Sequence, residues 1–305
     1  MTRPAIPLAL AALLLGAPAA LDARNWTSSD GRQIEADFVR ATDASVTIRK
    51  GGREFTLALD KLSEDDRAFV AQQLASAGEF DLASLGDKAE FFKGEWVGGN
   101  QHGLAFQVFA PPKVPKDRPL PLVVFLHGIG ERGDDGKRQL NGLPESFARD
   151  ANFSTRPCVI LAPQCPADEF WSGPTAGRVI DLVKDLVKDL PVDPDRVYLG
   201  GFSMGGYGTW AILAQQPKLF ACGFPISGGG SPTIASAIKK IPIWAFHGAE
   251  DNVVNVEESR RIVAALKREK ADVTYTEMPG EGHGIAGKVL ADVKLHEWIF
   301  AQQRK

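Results

Sequence analysis

Cysteine is scarce: three in 305 residues, at positions 158, 165 and 222. That excludes a disulfide-built scaffold. Cys158-Val159-Ile160-Leu161 reads as a strand, and an extended chain carries Cys165 beyond the ~7 Å reach of a bridge from Cys158. A bridge to Cys222 stays open, and buried free thiols are the simpler reading. No Cys/His cluster has the spacing of a zinc site. Charge of one sign is lacking too. Lys plus Arg number 35 and Asp plus Glu 38, a formal net charge of −3. That balance gives no electrostatic reason to expect nucleic acid or an anionic membrane as partner. After the first two dozen residues no apolar run approaches the ~20 residues that span a bilayer. What is present is ordinary for a soluble globular protein, 44% apolar and 24% charged.

The first residues differ from the rest. Arg3 is followed by an apolar run, Ile6 to Leu15, and then by Ala17-Pro18-Ala19, small residues at signal-peptidase spacing. This resembles a secretory signal peptide over residues 1–23 and predicts export, to a periplasm or beyond the cell.

Residues 24–75 read as a separate unit. Ile34, Ala36 and Phe38 alternate with Gln33, Glu35 and Asp37; Val46 and Ile48, then Phe55, Leu57 and Leu59, repeat the period of two that marks half-buried strands. Asp30-Gly31 and Gly51-Gly52 are turn pairs. Ser63, with Asp66 three residues on, predicts a helix start. The run Trp26-Thr27-Ser28 with Asp30-Gly31, then Ala36-Asp37-Phe38-Val39, then Leu62-Ser63 with Asp66, resembles the first Sla-type homology domain. The resemblance implies a small SH3-like β-barrel that takes a peptide or polymer ligand; a passive β-rich spacer is the plainer alternative.

Residues 76–90 have the small and polar look of a linker. From residue 91 to 305 short apolar runs alternate with helical stretches. Strands are predicted at Leu104–Phe109, Leu122–Leu126, Val159–Ala162, Val197–Gly200, Phe220–Ile226, Ile243–His247 and Val273–Met278, and helices at Val179–Leu190, Asn255–Lys270 and Val289–Gln303. The alternation predicts a mostly parallel sheet with helices on both faces.

The sharpest motif is Gly201-Phe202-Ser203-Met204-Gly205, between the strand Val197–Gly200 and a helical run from Gly206. Strand, sharp turn, helix is the setting of a nucleophile elbow. A serine hydroxyl needs a base to take its proton, and that base needs an orienting acid. In this architecture the chain order is serine, acid, histidine. His283, in the loop Gly280-Glu281-Gly282-His283-Gly284, is the predicted base. Asp251, the first aspartate past the strand Ile243–His247, is the predicted acid, with Glu250 as runner-up. The N–H groups of Met204 and Ile129 are the predicted oxyanion donors. Trp171 and Glu131 are candidate substrate contacts, each with a plain structural reading beside it.

These segments, with Leu126 to Gly133, Ala162 to Pro166 and Phe246 to Asp251, resemble the predicted-peptidase and depolymerase-like branch of the α/β-hydrolases, near the phospholipase/carboxylesterase family. The resemblance implies a carboxylic-ester hydrolase without metal or organic cofactor; the leading expectation is an exported esterase acting on a carbohydrate-linked ester, a polyester or a lipid ester. A serine peptidase, or an inactive binding protein working through its N-terminal domain, are the alternatives. Gly284-Ile285-Ala286-Gly287 departs from the polar and aromatic residues that follow the histidine in relatives.

Overall fold

A computed structural model describes residues 23–42, 45–76, 78–149 and 153–304. The export segment read at residues 1–23 falls, but for its last residue, outside the described residues. The chain divides into two compact units, residues 1–75 and 76–305.

In the first unit, β1 (Arg24–Thr27), β2 (Gln33–Ala41), β3 (Ser45–Lys50) and β4 (Arg53–Ala58) form an antiparallel meander in that order. Gly51 and Gly52, at φ 58° and 78°, make the two-residue turn that joins β3 to β4. Both angles are positive, the geometry whose twist matches that of the strands it connects. Helix α1 (Glu64–Ser76) begins where Ser63 and Asp66 predict it: Ser63 Oγ accepts the Asp66 N–H at 3.2 Å and donates to the Asp66 carboxylate at 2.9 Å. Trp26, Val46, Ile48, Leu62 and Val70 build the core, and the Trp26 indole donates to Ala36 O. One antiparallel bridge, Ser28 to Leu62, ties the end of β1 to the segment after β4.

The second unit is built on an eight-stranded sheet. Its strands are β5 (Trp96–Gln101), β6 (Leu104–Phe109), β7 (Leu120–Leu126), β8 (Val159–Pro163), β9 (Val192–Phe202), β10 (Cys222–Ile226), β11 (Ile243–Gly248) and β12 (Val273–Met278). The spatial order is β12-β11-β10-β9-β7-β8-β6-β5. From β7 to β12 all neighbours are parallel, while the β5–β6 hairpin runs antiparallel at one edge. Strands β7, β8 and β10 are apolar at every position because both faces are covered. In β7, Leu122, Val124 and Leu126 join one core and Val123 and Phe125 the other. Helices α2 (Gly173–Asp189), α3 (Met204–Gln215), α4 (Ala235–Ile238) and α5 (Glu257–Arg268) supply the first core, and α6 (Ala286–Ala291) and α7 (Val293–Phe300) the second.

Three details differ from the pattern in the sequence. Strand β5 carries Gly98 and Gly99, which weaken a strand signal; here the Phe106 ring lies over Gly99, where a Cβ would come within 2.3 Å of it. The final helix is two, because the Asp292 carboxylate caps a new start by accepting the Lys294 N–H. The stretch read as a linker does not run free: its Phe80, Leu82 and Leu85 pack against the larger core. All three cysteines are buried free thiols, and burial pushes the Cys165 thiol up to about 12.

Candidate active site

Strand β9 ends at Phe202 and α3 begins at Met204, so Ser203 alone makes the turn. Its φ of 57° and ψ of −115° are strained for a residue with a side chain. The turn is held by Ser203 N–H donating to Ile226 O at 2.9 Å and by Tyr207 N–H donating to Ser203 O at 3.1 Å. The flanking glycines are sterically required. A Cβ at Gly205 would stand 1.9 Å from Leu126 O, and one at Gly201 2.5 Å from Gly205 O.

The loops after β11 and β12 bring the other two groups to it. His283 Nε2 lies 2.9 Å from Ser203 Oγ, and His283 Nδ1 lies 2.7 Å from Asp251 Oδ2. The loops press together: a Cβ at Gly248 would meet Gly282 O at 2.1 Å. Ser227 Oγ donates to His283 O at 3.1 Å, and the Phe202 ring lies 5.0 Å from the imidazole. The Asp251 side chain is fully buried, whereas Glu250 is exposed. Burial works against the Asp251 carboxylate charge. Hydrogen bonds from His283 and from the N–H groups of Val254 (2.8 Å) and Val253 (2.9 Å) outweigh it and hold the group below its ordinary 3.8.

A carboxyl lowered by folding adds stability above its unfolded value, and the gain is lost as pH falls through the folded value. Acid below about pH 4 should therefore lower the melting temperature of the wild type more steeply than that of Asp251→Asn. Parallel acid limbs in calorimetric scans of the two proteins would contradict this.

Sequence reasoning missed a second histidine at this acid. His247, at the end of β11, is fully buried, and both ring nitrogens face oxygen acceptors. Nδ1 meets Ser259 Oγ at 2.7 Å, and Ser259 spends its own proton on Gly228 O. Nε2 lies 3.0 Å from Val254 O and 3.2 Å from Asp251 Oδ2. The signal was in the sequence as His247 four residues before Asp251, but nothing there told it from a core histidine.

The loop after β7 carries the other predicted donor. Ile129 opens a short 3-10 turn, and Ile129, Met204 and Ser203 line one cleft. As the first residue of α3, Met204 has an N–H with no acceptor inside the helix. His127 fixes the loop: Nδ1–H donates to Gly128 O at 2.6 Å and Nε2 accepts the Cys165 N–H at 2.9 Å. Burial lowers this imidazole's proton affinity, consistent with that neutral tautomer. Trp171 is a buried wall of the cleft whose indole N–H is committed to His127 O at 3.0 Å. Glu131 is not among the residues that line the cleft; its carbonyl accepts a hydrogen bond from Gln164 and its carboxylate lies near Gly128.

The cleft has a volume of about 910 Å³ and runs from Ser203 between α3, the segment Phe170–Ser172 and the loop Gly229–Pro232. Met204, Tyr207, Gly208 and Ala211, spaced as one face of α3, form its floor.

Residues 161–299, just under half of the chain, match the Phospholipase/Carboxylesterase family. A crystal structure of a thermostable esterase superposes with a TM-score of 0.66 at 29% identity, over 92% of this chain and 70% of that one. The chain folds as an α/β-hydrolase. Among curated proteins, this α/β-hydrolase is 29% identical over 167 residues to a bifunctional acetylxylan esterase/xylanase of Neocallimastix patriciarum, 51% of this chain and 22% of that protein. It is 27% identical over 225 residues to a probable carboxylesterase of Oryza sativa subsp. japonica, 65% of this chain and 84% of that protein. The chain spans 22 to 31% of the length of the first three curated relatives it matches. In an α/β-hydrolase the carboxyl ends of the parallel strands are where loops converge. Here they carry Ser203 after β9, Asp251 after β11 and His283 after β12.

Proposed function

We propose that this chain is an exported carboxylic-ester hydrolase that works through an acyl-enzyme on Ser203. The observation that carries the reading is the unbroken hydrogen-bonded chain Ser203 Oγ–His283 Nε2 and His283 Nδ1–Asp251 Oδ2 at 2.9 and 2.7 Å. His283 takes the hydroxyl proton as Ser203 Oγ attacks the ester carbonyl carbon. The Met204 and Ile129 N–H groups donate hydrogen bonds to the carbonyl oxygen as negative charge develops on it. The carbonyl reforms, the alcohol leaves with the proton from His283, and a water activated by the same imidazole releases the acid. Asp251 keeps the His283 proton on Nδ1, leaving Nε2 free to act. A fluorophosphonate probe tests the reading directly: the adduct should map to Ser203. Labelling elsewhere, or none in an ester-cleaving preparation, would refute it.

The name of the acetylxylan esterase relative supports a carbohydrate-linked ester among the substrates to be tried. The first unit is read as a Sla-type, SH3-like domain, supported by its meander, its capped helix and the Ser28–Leu62 bridge. It has its own core, and Ser203, His283 and Asp251 all lie in the second unit. Deleting residues 24–75 should therefore leave kcat/KM on small soluble esters within about twofold. A soluble truncated protein that loses more than tenfold on such esters would show that the first unit takes part in catalysis.

A further inference from the structure

His247 closes a ring of hydrogen bonds around Asp251 and His283. His283 Nδ1 meets Asp251 Oδ2 at 2.7 Å, and His283 O accepts from Ser227 Oγ at 3.1 Å. Ser227 is followed by Gly228, whose carbonyl accepts from Ser259 Oγ at 2.7 Å. Ser259 Oγ meets His247 Nδ1 at 2.7 Å, and His247 Nε2 meets Val254 O at 3.0 Å. The Val254 N–H returns to Asp251 Oδ1 at 2.8 Å. The ring thus joins the loops after β10, β11 and β12 to the first turn of α5. Ser227, His247 and Ser259 are all buried. Ser227 sits at φ 48°, a strained angle for a residue with a side chain, which persists only where the surroundings fix it.

One proton defines the part His247 plays. Nε2 faces Val254 O and, at 3.2 Å, Asp251 Oδ2. The carbonyl has no proton to give, and neither has the carboxylate, held below its ordinary 3.8. Nε2 therefore carries its own. Its N–H, bonded to Val254 O, holds the turn whose Val253 and Val254 N–H groups grip Asp251 Oδ1. The same positive edge faces Oδ2, the oxygen bonded to His283 Nδ1. We infer that His247 is a positioning residue for the proposed ester hydrolysis: its Nε2–H fixes the Asp251 carboxylate against His283, and Ser259 fixes the imidazole in turn. The inference rests on the proposed triad and extends its support by two residues. A histidine that only filled space would need the volume of its ring and no proton at Nε2.

Two amides separate the two ring nitrogens. Glutamine places its amide N–H near the position of Nε2, asparagine near that of Nδ1. Displacing the acid should misplace the base and leave substrate binding intact, and a misplacement of about 1 Å costs up to about a hundredfold. His247→Asn should therefore lower kcat for p-nitrophenyl acetate at least about tenfold with KM within about threefold. His247→Gln should recover kcat to within about threefold of wild type. The rate of fluorophosphonate labelling at Ser203 should fall in the same order. Ser259→Ala, a small change that the fold can absorb, should lower kcat about threefold to tenfold with KM unchanged, and it decides the matter alone if the His247 variants do not fold. Equal losses of kcat in His247→Asn and His247→Gln, at similar melting temperatures, overturn the inference and leave the esterase reading intact. Wild-type kcat in His247→Asn or in Ser259→Ala overturns it too. Absence of any Ser203-dependent hydrolysis in the wild type removes the esterase reading itself, and this inference with it.

Discussion

Ser203→Ala is expected to lower kcat for ester hydrolysis by at least about a thousandfold, to end fluorophosphonate labelling, and to leave the melting temperature nearly unchanged. The magnitude follows from what the hydroxyl does. Without it no acyl-enzyme forms, and only the oxyanion donors and substrate binding remain to speed attack by water. The fold should survive because Ser203 is held by its backbone, through the bonds to Ile226 O and from Tyr207 N–H. Alanine shares the positive-φ strain of serine, so the backbone is no worse off. A variant within tenfold of wild type, freed of contaminating esterases, would rule out Ser203 as nucleophile.

How much of this was legible beforehand can be traced residue by residue. The elbow was, because its constraint is local: the glycines at 201 and 205 are demanded by atoms of the turn itself and of the adjacent strand β7. The loops after β11 and β12 were legible from chain order and from the apolar runs that precede them. The sheet's edge was not, since Gly98 and Gly99 in β5 depend on a cross-strand ring for their packing. The packing of Phe80, Leu82 and Leu85 was hidden because small and polar residues among them masked the apolar positions. The roles of His127, Trp171 and His247 were hidden for another reason. Each depends on a partner fixed by tertiary structure: Cys165 for His127, His127 O for Trp171, and Ser259 with Asp251 for His247. Sequence spacing carries no information about such pairings, whereas it does carry the period of a strand or helix.

Asp251→Asn should cost kcat/KM at least about a hundredfold, and Glu250→Gln less than tenfold. The two acids are neighbours in the chain but differ in where they stand. Glu250 is exposed, and its backbone N–H ties the loop to Glu281 O at 2.9 Å. Asp251 is buried with Oδ2 on His283 Nδ1 and Oδ1 on the N–H groups of Val253 and Val254. An asparagine fitted there keeps its oxygen on those two N–H groups, which leaves its amide N–H₂ facing His283 Nδ1. That donor favours the tautomer with the proton on Nε2, which presents an N–H to Ser203 Oγ in place of a free lone pair. It also removes the negative charge that stabilises the imidazolium as Ser203 gives up its proton. In a serine protease the corresponding change costs about 10⁴ in kcat. His247 adds to the cost, since its Nε2 at 3.2 Å would also lose a charged acceptor. Steady-state kinetics of both variants at pH 7, with melting temperatures measured alongside, decide the matter. A larger loss in Glu250→Gln than in Asp251→Asn, with both proteins folded, would transfer the orienting role to Glu250 and overturn the assignment of Asp251.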